Sequence, residues 1–176
     1  LGPRFDVNPS TGFFNYPFPT NGGTTAGNIN RRLQVHNSDL GNAGALYFAE
    51  GQYVANDDCA AGNNANNAAW RACNISGGGS SFSASLTGST HREEPAIMAW
   101  QDADPSVLLR VVDVPNDGRF LVAFKGTNIG GGNWHYEYAV QNLTSHRAAR
   151  AFTVSLPNGT AVSNVGFHDV DYHTND

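Results

Sequence analysis

The sequence predicts an all-β protein: an antiparallel two-sheet β-sandwich, immunoglobulin-like or jelly-roll-like, preceded by an extended N-terminal arm. Three observations carry that expectation. From Arg31 onward, apolar and polar residues alternate with period two in short runs. Turn residues separate the runs, most clearly Pro115-Asn116-Asp117-Gly118 and Pro157-Asn158-Gly159. No segment of useful length keeps a helical period, and the best helical candidate is one short turn between Asn63 and Arg71.

Taken in order, residues 1–29 mix Pro and Gly with Phe13, Phe14, Tyr16 and Phe18 and show no periodicity. Such a segment is too apolar for a free linker and is read as an arm packed on its own domain or on a neighbour; residues 30–176 form the sandwich domain. Strands are expected at Arg32–His36, Ala45–Ala49, Phe82–Leu86 and Ala96–Trp100. The clearest hairpin joins Val107–Val114 to Arg119–Lys125, and Trp134–Leu143 follows the glycine run Gly130-Gly131-Gly132. Ala151–Leu156 and Ala161–Tyr172 are expected to make a last hairpin. Alternation assigns three sets to the core: Phe120, Val122 and Phe124; Trp134, Tyr136, Tyr138 and Val140; Phe152, Val154 and Leu156. The opposite positions (Arg119, Lys125, His135, Glu137, Gln141, Thr153) suit a solvated face.

Composition narrows the function. Charged residues are only 14% of the 176, the net charge is −5, and Lys125 is the sole lysine. A basic surface that could neutralise phosphates is therefore missing, which argues against nucleic acid and anionic membrane partners. No apolar run is long enough for a spanning helix, so membrane insertion is not expected. The chain opens at Leu1 rather than Met, as a processed form or a fragment would. Cys59 and Cys73 enclose an Asn- and Ala-rich loop. In an exported protein such a pair is expected to form a disulfide worth about 3 kcal/mol, the alternative being two buried thiols.

The segments RRLQVHNSDL (31–40), LYFAEGQYV (46–54), GGGNWHYEYAVQNLTSHR (130–147) and GFHDVDYH (166–173) resemble a group of uncharacterised exported bacterial proteins. The resemblance implies export, a β-rich fold, an extracellular or cell-surface location, and relatives that extend beyond both ends of this chain. It implies no activity and transfers no catalytic residue. Residues 136–142 also resemble the Y-x-Y-x-V-x-N strand of immunoglobulin-like bacterial surface modules.

Several positions carry chemistry. If 168–173 is a strand, Asp169, Asp171 and His173 share one face and His168 the other; with His36 or His135 as a further donor they could hold Zn²⁺ or a similar transition metal. Asp57 and Asp58, beside Asn56, are the most plausible loop carboxylates for Ca²⁺, although Asp and Asn are equally what turns require. No Gly-x-Ser-x-Gly elbow exists. Glu93-Glu94 before Pro95 reads as exposed, and of the three tryptophans Trp70 is the one most suspected of stacking on a sugar. The expected function is a structural or interaction module of a bacterial surface, matrix or filament, with self-association through the N-terminal arm. A carbohydrate- or calcium-binding module is the alternative, and a metal-dependent enzyme built on the His/Asp cluster the third.

Overall fold

The computed structural model describes residues 7–16, 35–79 and 81–168. The expected all-β, two-sheet antiparallel architecture is what it contains. The elements are α1 (Asn37–Leu40), β1 (Tyr47–Gln52), α2 (Asn56–Ala60), β2 (Ala68–Gly78), β3 (Ser81–Arg92), α3 (Met98–Ala103), β4 (Leu108–Asp113), β5 (Arg119–Gly130) and β6 (Asn133–Asn142). Each sheet is a meander of consecutive strands, β1-β2-β3 and β4-β5-β6, and all pairs are antiparallel.

The sheets join along a seam that combines a small apolar cluster with buried polar groups. Ala68 of β2, Leu121 of β5 and Leu143 form the cluster, with Ala65 and Ile97 against it. Beside it the Glu50 carboxylate of β1 accepts from Gln141 Nε2 of β6 at 3.0 and 2.8 Å and from the Ala96 amide at 2.6 Å. Gln141 Oε1 in turn accepts from the Ile97 amide at 3.2 Å, and Gln52 Nε2 donates to the Leu143 carbonyl at 3.0 Å. The Glu50, Gln52 and Gln141 side chains are thereby each answered by a partner from the other sheet or its connector.

The expected faces of the second sheet are inverted. Register puts Phe120, Val122 and Phe124 on one side with Val140, Tyr138, Tyr136 and Trp134, as the alternation requires. That side, however, faces outward: Trp134 is 53% and Tyr136 54% exposed, while Leu121 and Ala123 on the reverse are 4% and 0% exposed. The reverse side is inward because Leu121 packs there on Ala68 of the first sheet.

Four expected elements differ. Ala96–Trp100 is not a strand: Pro95 opens a turn whose carbonyl accepts from the Met98 amide at 2.9 Å, and Ala, Met and Gln continue as α3. Of the strand expected at Arg32–His36, residues 32–34 lie outside the described residues, and His36 caps α1 instead. The short turn expected within Asn63–Arg71 gives way to β2 from Ala68 onward, and the local helix is α2. The Ala151–Leu156 and Ala161–Tyr172 segments form the turn at Pro157–Gly159, where Thr160 N and Oγ1 donate to the Pro157 carbonyl at 3.2 and 2.8 Å, but up to His168 they pair with no described strand. Of the arm, residues 7–16 form a tight turn closed by a Val7–Phe14 bridge. Asn56 and Asn64 donate to the Thr11 and Ser10 carbonyls, tying this turn to its own domain. Residues 1–6 and 17–29 lie outside the described residues.

Three carboxylates around β4 and β5 are held below the ordinary carboxylate range. Hydrogen bonds from Lys125 and then Ser106 bring Asp104 to about 2. Arg119 lowers Asp113 by hydrogen bonds of 2.6 and 3.2 Å, and Ser145 with the His146 and Arg147 amides lowers Asp117. A depressed carboxyl stabilises the fold above its unfolded value near 3.9, and that contribution disappears as pH falls through the folded value. The urea midpoint is therefore expected to drop most steeply between about pH 4 and pH 2. A midpoint unchanged at the lower end would mean these bonds add nothing to stability.

Candidate functional site

The outer face of β4-β5-β6 is the most conspicuous surface of the protein. Strand alternation places Leu108 and Val112 of β4, Phe120, Val122 and Phe124 of β5, and Trp134, Tyr136, Tyr138 and Val140 of β6 side by side. The rings of Trp134 and Tyr136 lie 6.4 Å apart and those of Tyr136 and Tyr138 6.5 Å apart, nearly parallel in both pairs. Gly126, opposite Tyr136, makes room for that ring, because a Cβ there would lie 2.9 Å from Tyr136 Cε1. The chain after β6 is turned across this face. Asp117, in the β4–β5 turn, accepts from Ser145 Oγ and from the His146 amide at 2.9 Å, and Thr144 Oγ1 accepts from the Arg119 amide at 3.0 Å. The turned segment carries Phe152 to 5.2 Å from the Tyr138 ring. The third set of expected core residues thus joins the other two, yet Phe152, Val154 and Leu156 remain 51%, 41% and 47% exposed.

Of the transition-metal ligands expected from sequence, His36, His135 and His168 are among the described residues. His36 Nδ1 lies 2.7 Å from Ser38 Oγ at the start of α1. His135 lies on β6, on the side opposite the aromatic row, 3.7 Å from Glu137. His168 Nε2 lies 3.6 Å from Asp39 Oδ2, and Asp169, Asp171 and His173 fall outside the described residues. Asp57 and Asp58, the expected calcium ligands, sit in the first turn of α2, and Asp58 accepts from the Asn67 side chain.

Cys59 and Cys73 are free thiols, which corrects the expected disulfide. The bond between Asp58 and Asn67 holds Cys59 near the start of β2. Cys73 lies six residues past Asn67 along that extended stretch, roughly 20 Å on, whereas a bridge needs Cα atoms within about 7 Å. Burial, reinforced by the adjacent Asp58, raises the Cys59 pKa above that of an ordinary thiol, which makes it a poor nucleophile at neutral pH.

A group absent from the sequence-derived candidates does come together. His91 at the end of β3, Glu94 in the following turn and Asp102 on α3 place one ligand atom each within 4.8 Å of one another. His91 Nδ1 is 3.2 Å from Glu94 Oε2 and 3.8 Å from Asp102 Oδ2. Glu93, with φ of 62°, supplies the reversal that returns Glu94 to the imidazole. The only trace of this in the sequence is the His-x-x-Glu spacing, since Asp102 joins it through the fold alone.

No protein-family model, curated protein or solved structure matches the chain.

Proposed function

We propose that this chain is an extracellular structural or interaction module of a bacterial surface, matrix or filament, whose copies associate through the outer face of β4-β5-β6. The observation that carries the reading is the row Trp134, Tyr136 and Tyr138 left half-exposed on a sheet face that also bears Leu108, Val112 and Val140. Apolar surface of this extent, interrupted only by Arg110 on β4, is costly to leave in water and marks interaction sites. Aromatic residues dominate the energetics of such contacts. The low charge density leaves little repulsion to oppose contact between identical faces. The extracellular setting is supported by the uncharged polar composition and by the resemblance to exported proteins. The parallel rings favour a second reading, stacking on a carbohydrate.

Sedimentation velocity over a range of concentrations tests the proposal. The native chain is expected to self-associate, and Trp134→Ser with Tyr136→Ser is expected to weaken association by at least about tenfold while leaving circular dichroism unchanged. A native chain that stays monomeric throughout would sink the proposal; retention on immobilised glycan that these two changes abolish would transfer the face to sugar.

A further inference from the structure

We infer that His91, Glu94 and Asp102 form a site for a divalent transition-type cation that fastens the end of the first sheet to the helix leading into the second. Nothing about it depends on the outer aromatic face, which lies on the other sheet.

The donor set is one imidazole nitrogen and two carboxylate oxygens, each from a different local element: a strand end, a turn and a helix. Zn²⁺ binds such N and O donors at about 2.0–2.2 Å, which places neighbouring ligands roughly 3.0–3.5 Å apart. The His91–Glu94 separation of 3.2 Å already matches, and the His91–Asp102 separation of 3.8 Å needs only a side-chain adjustment. All three side chains are partly exposed, at 40%, 39% and 52%, so an ion reaches them from solvent and keeps coordination positions for water.

The surroundings support the same conclusion in two ways. The imidazole is fixed in orientation by Trp70, whose ring lies 3.7 Å away and 14° from parallel. Two carboxylates converge here with no Lys or Arg within ion-pair distance of either among the described residues, so their mutual repulsion is answered by a single imidazole. Trp70 is itself 5% exposed, so the ring that backs the imidazole is held in place by the fold. The nitrogen donor separates the site from Ca²⁺, which takes oxygen ligands, and the carboxylates separate it from soft ions such as Cu(I).

The test is Zn²⁺ titration of the purified chain by calorimetry, with tryptophan emission under Co²⁺ as a second readout. One equivalent of Zn²⁺ is expected, with thermal stabilisation, and Co²⁺ is expected to quench Trp70. His91→Ala is expected to weaken binding at least about a hundredfold and to abolish the quenching. Glu94→Gln and Asp102→Asn, which preserve size at exposed positions, should each weaken it at least about tenfold. Absence of binding below millimolar Zn²⁺ overturns the inference. So does unchanged affinity in all three variants, since the ion would then sit on His36, His135, His146, His168 or His173.

Discussion

Glu50→Ala is expected to destabilise the protein by about 3 kcal/mol. The carboxylate collects three hydrogen bonds from groups that belong to the other sheet or its connector: two from Gln141 Nε2 and one from the Ala96 amide. Alanine leaves both donors without an acceptor in a partly buried position, and each loss of a bond to a charged acceptor costs roughly 1.5–3 kcal/mol. Glu50→Gln keeps an acceptor for Ala96 but turns an amide NH₂ toward that of Gln141, so about half the loss is expected. Because either single change already removes the Glu50–Gln141 bond, the double change Glu50→Ala with Gln141→Ala should cost less than the sum of the single changes. Urea denaturation measures all of these, and a Glu50→Ala midpoint equal to that of the native chain would show that the seam is held by its apolar cluster alone.

Gly118→Ala is expected to cost about 2–3 kcal/mol, a fall in Tm of roughly 5–10 °C for a chain of this length. Gly118 lies where the β4–β5 turn touches the chain leaving β6, and a Cβ there would stand 2.5 Å from Ser145 N and within overlap of the Thr144 carbonyl. Both obstacles are backbone, so neither can swing aside. Thr144 and Ser145, each 2% exposed, are bonded to Arg119 and Asp117, which prevents the strand exit from retreating. The displaced segment is the one that carries Phe152 to Tyr138, so the variant should also show greater solvent exposure of the outer rings. Calorimetry gives the first effect and acrylamide quenching of Trp134 the second; a native Tm would mean the turn relaxes freely.

Alternation made most of β4, β5 and β6 legible, together with the β4–β5 hairpin, because period two states which residues share a side. It does not state which side is inward. Apolarity favoured Phe120, Tyr138 and Trp134 for the core, yet the side that meets the first sheet is the one bearing Leu121, a choice set by Ala68 on a strand far away in sequence. Strand β2 was hidden because Ala, Asn and Gly have weak strand preference; pairing on both edges with β1 and β3 is what holds it extended. The period-two reading of Ala96–Trp100 lost to helix formers following Pro95. His91 escaped notice for a similar reason, since the three ligands come from three elements: the turn at Glu93 returns Glu94, and only the fold brings in Asp102.

The order of the strands has a kinetic consequence. All pairings lie within two uninterrupted stretches, residues 47–92 and 108–142, so each sheet closes only short loops as it zips from hairpin to meander. The bond between Glu50 and Gln141 spans 91 residues and closes the far longer loop. Two early folding units and a late docking step follow from that inequality. The seam is then a barrier to unfolding rather than a nucleus for folding, and the lifetime of the native state is set where the two halves meet.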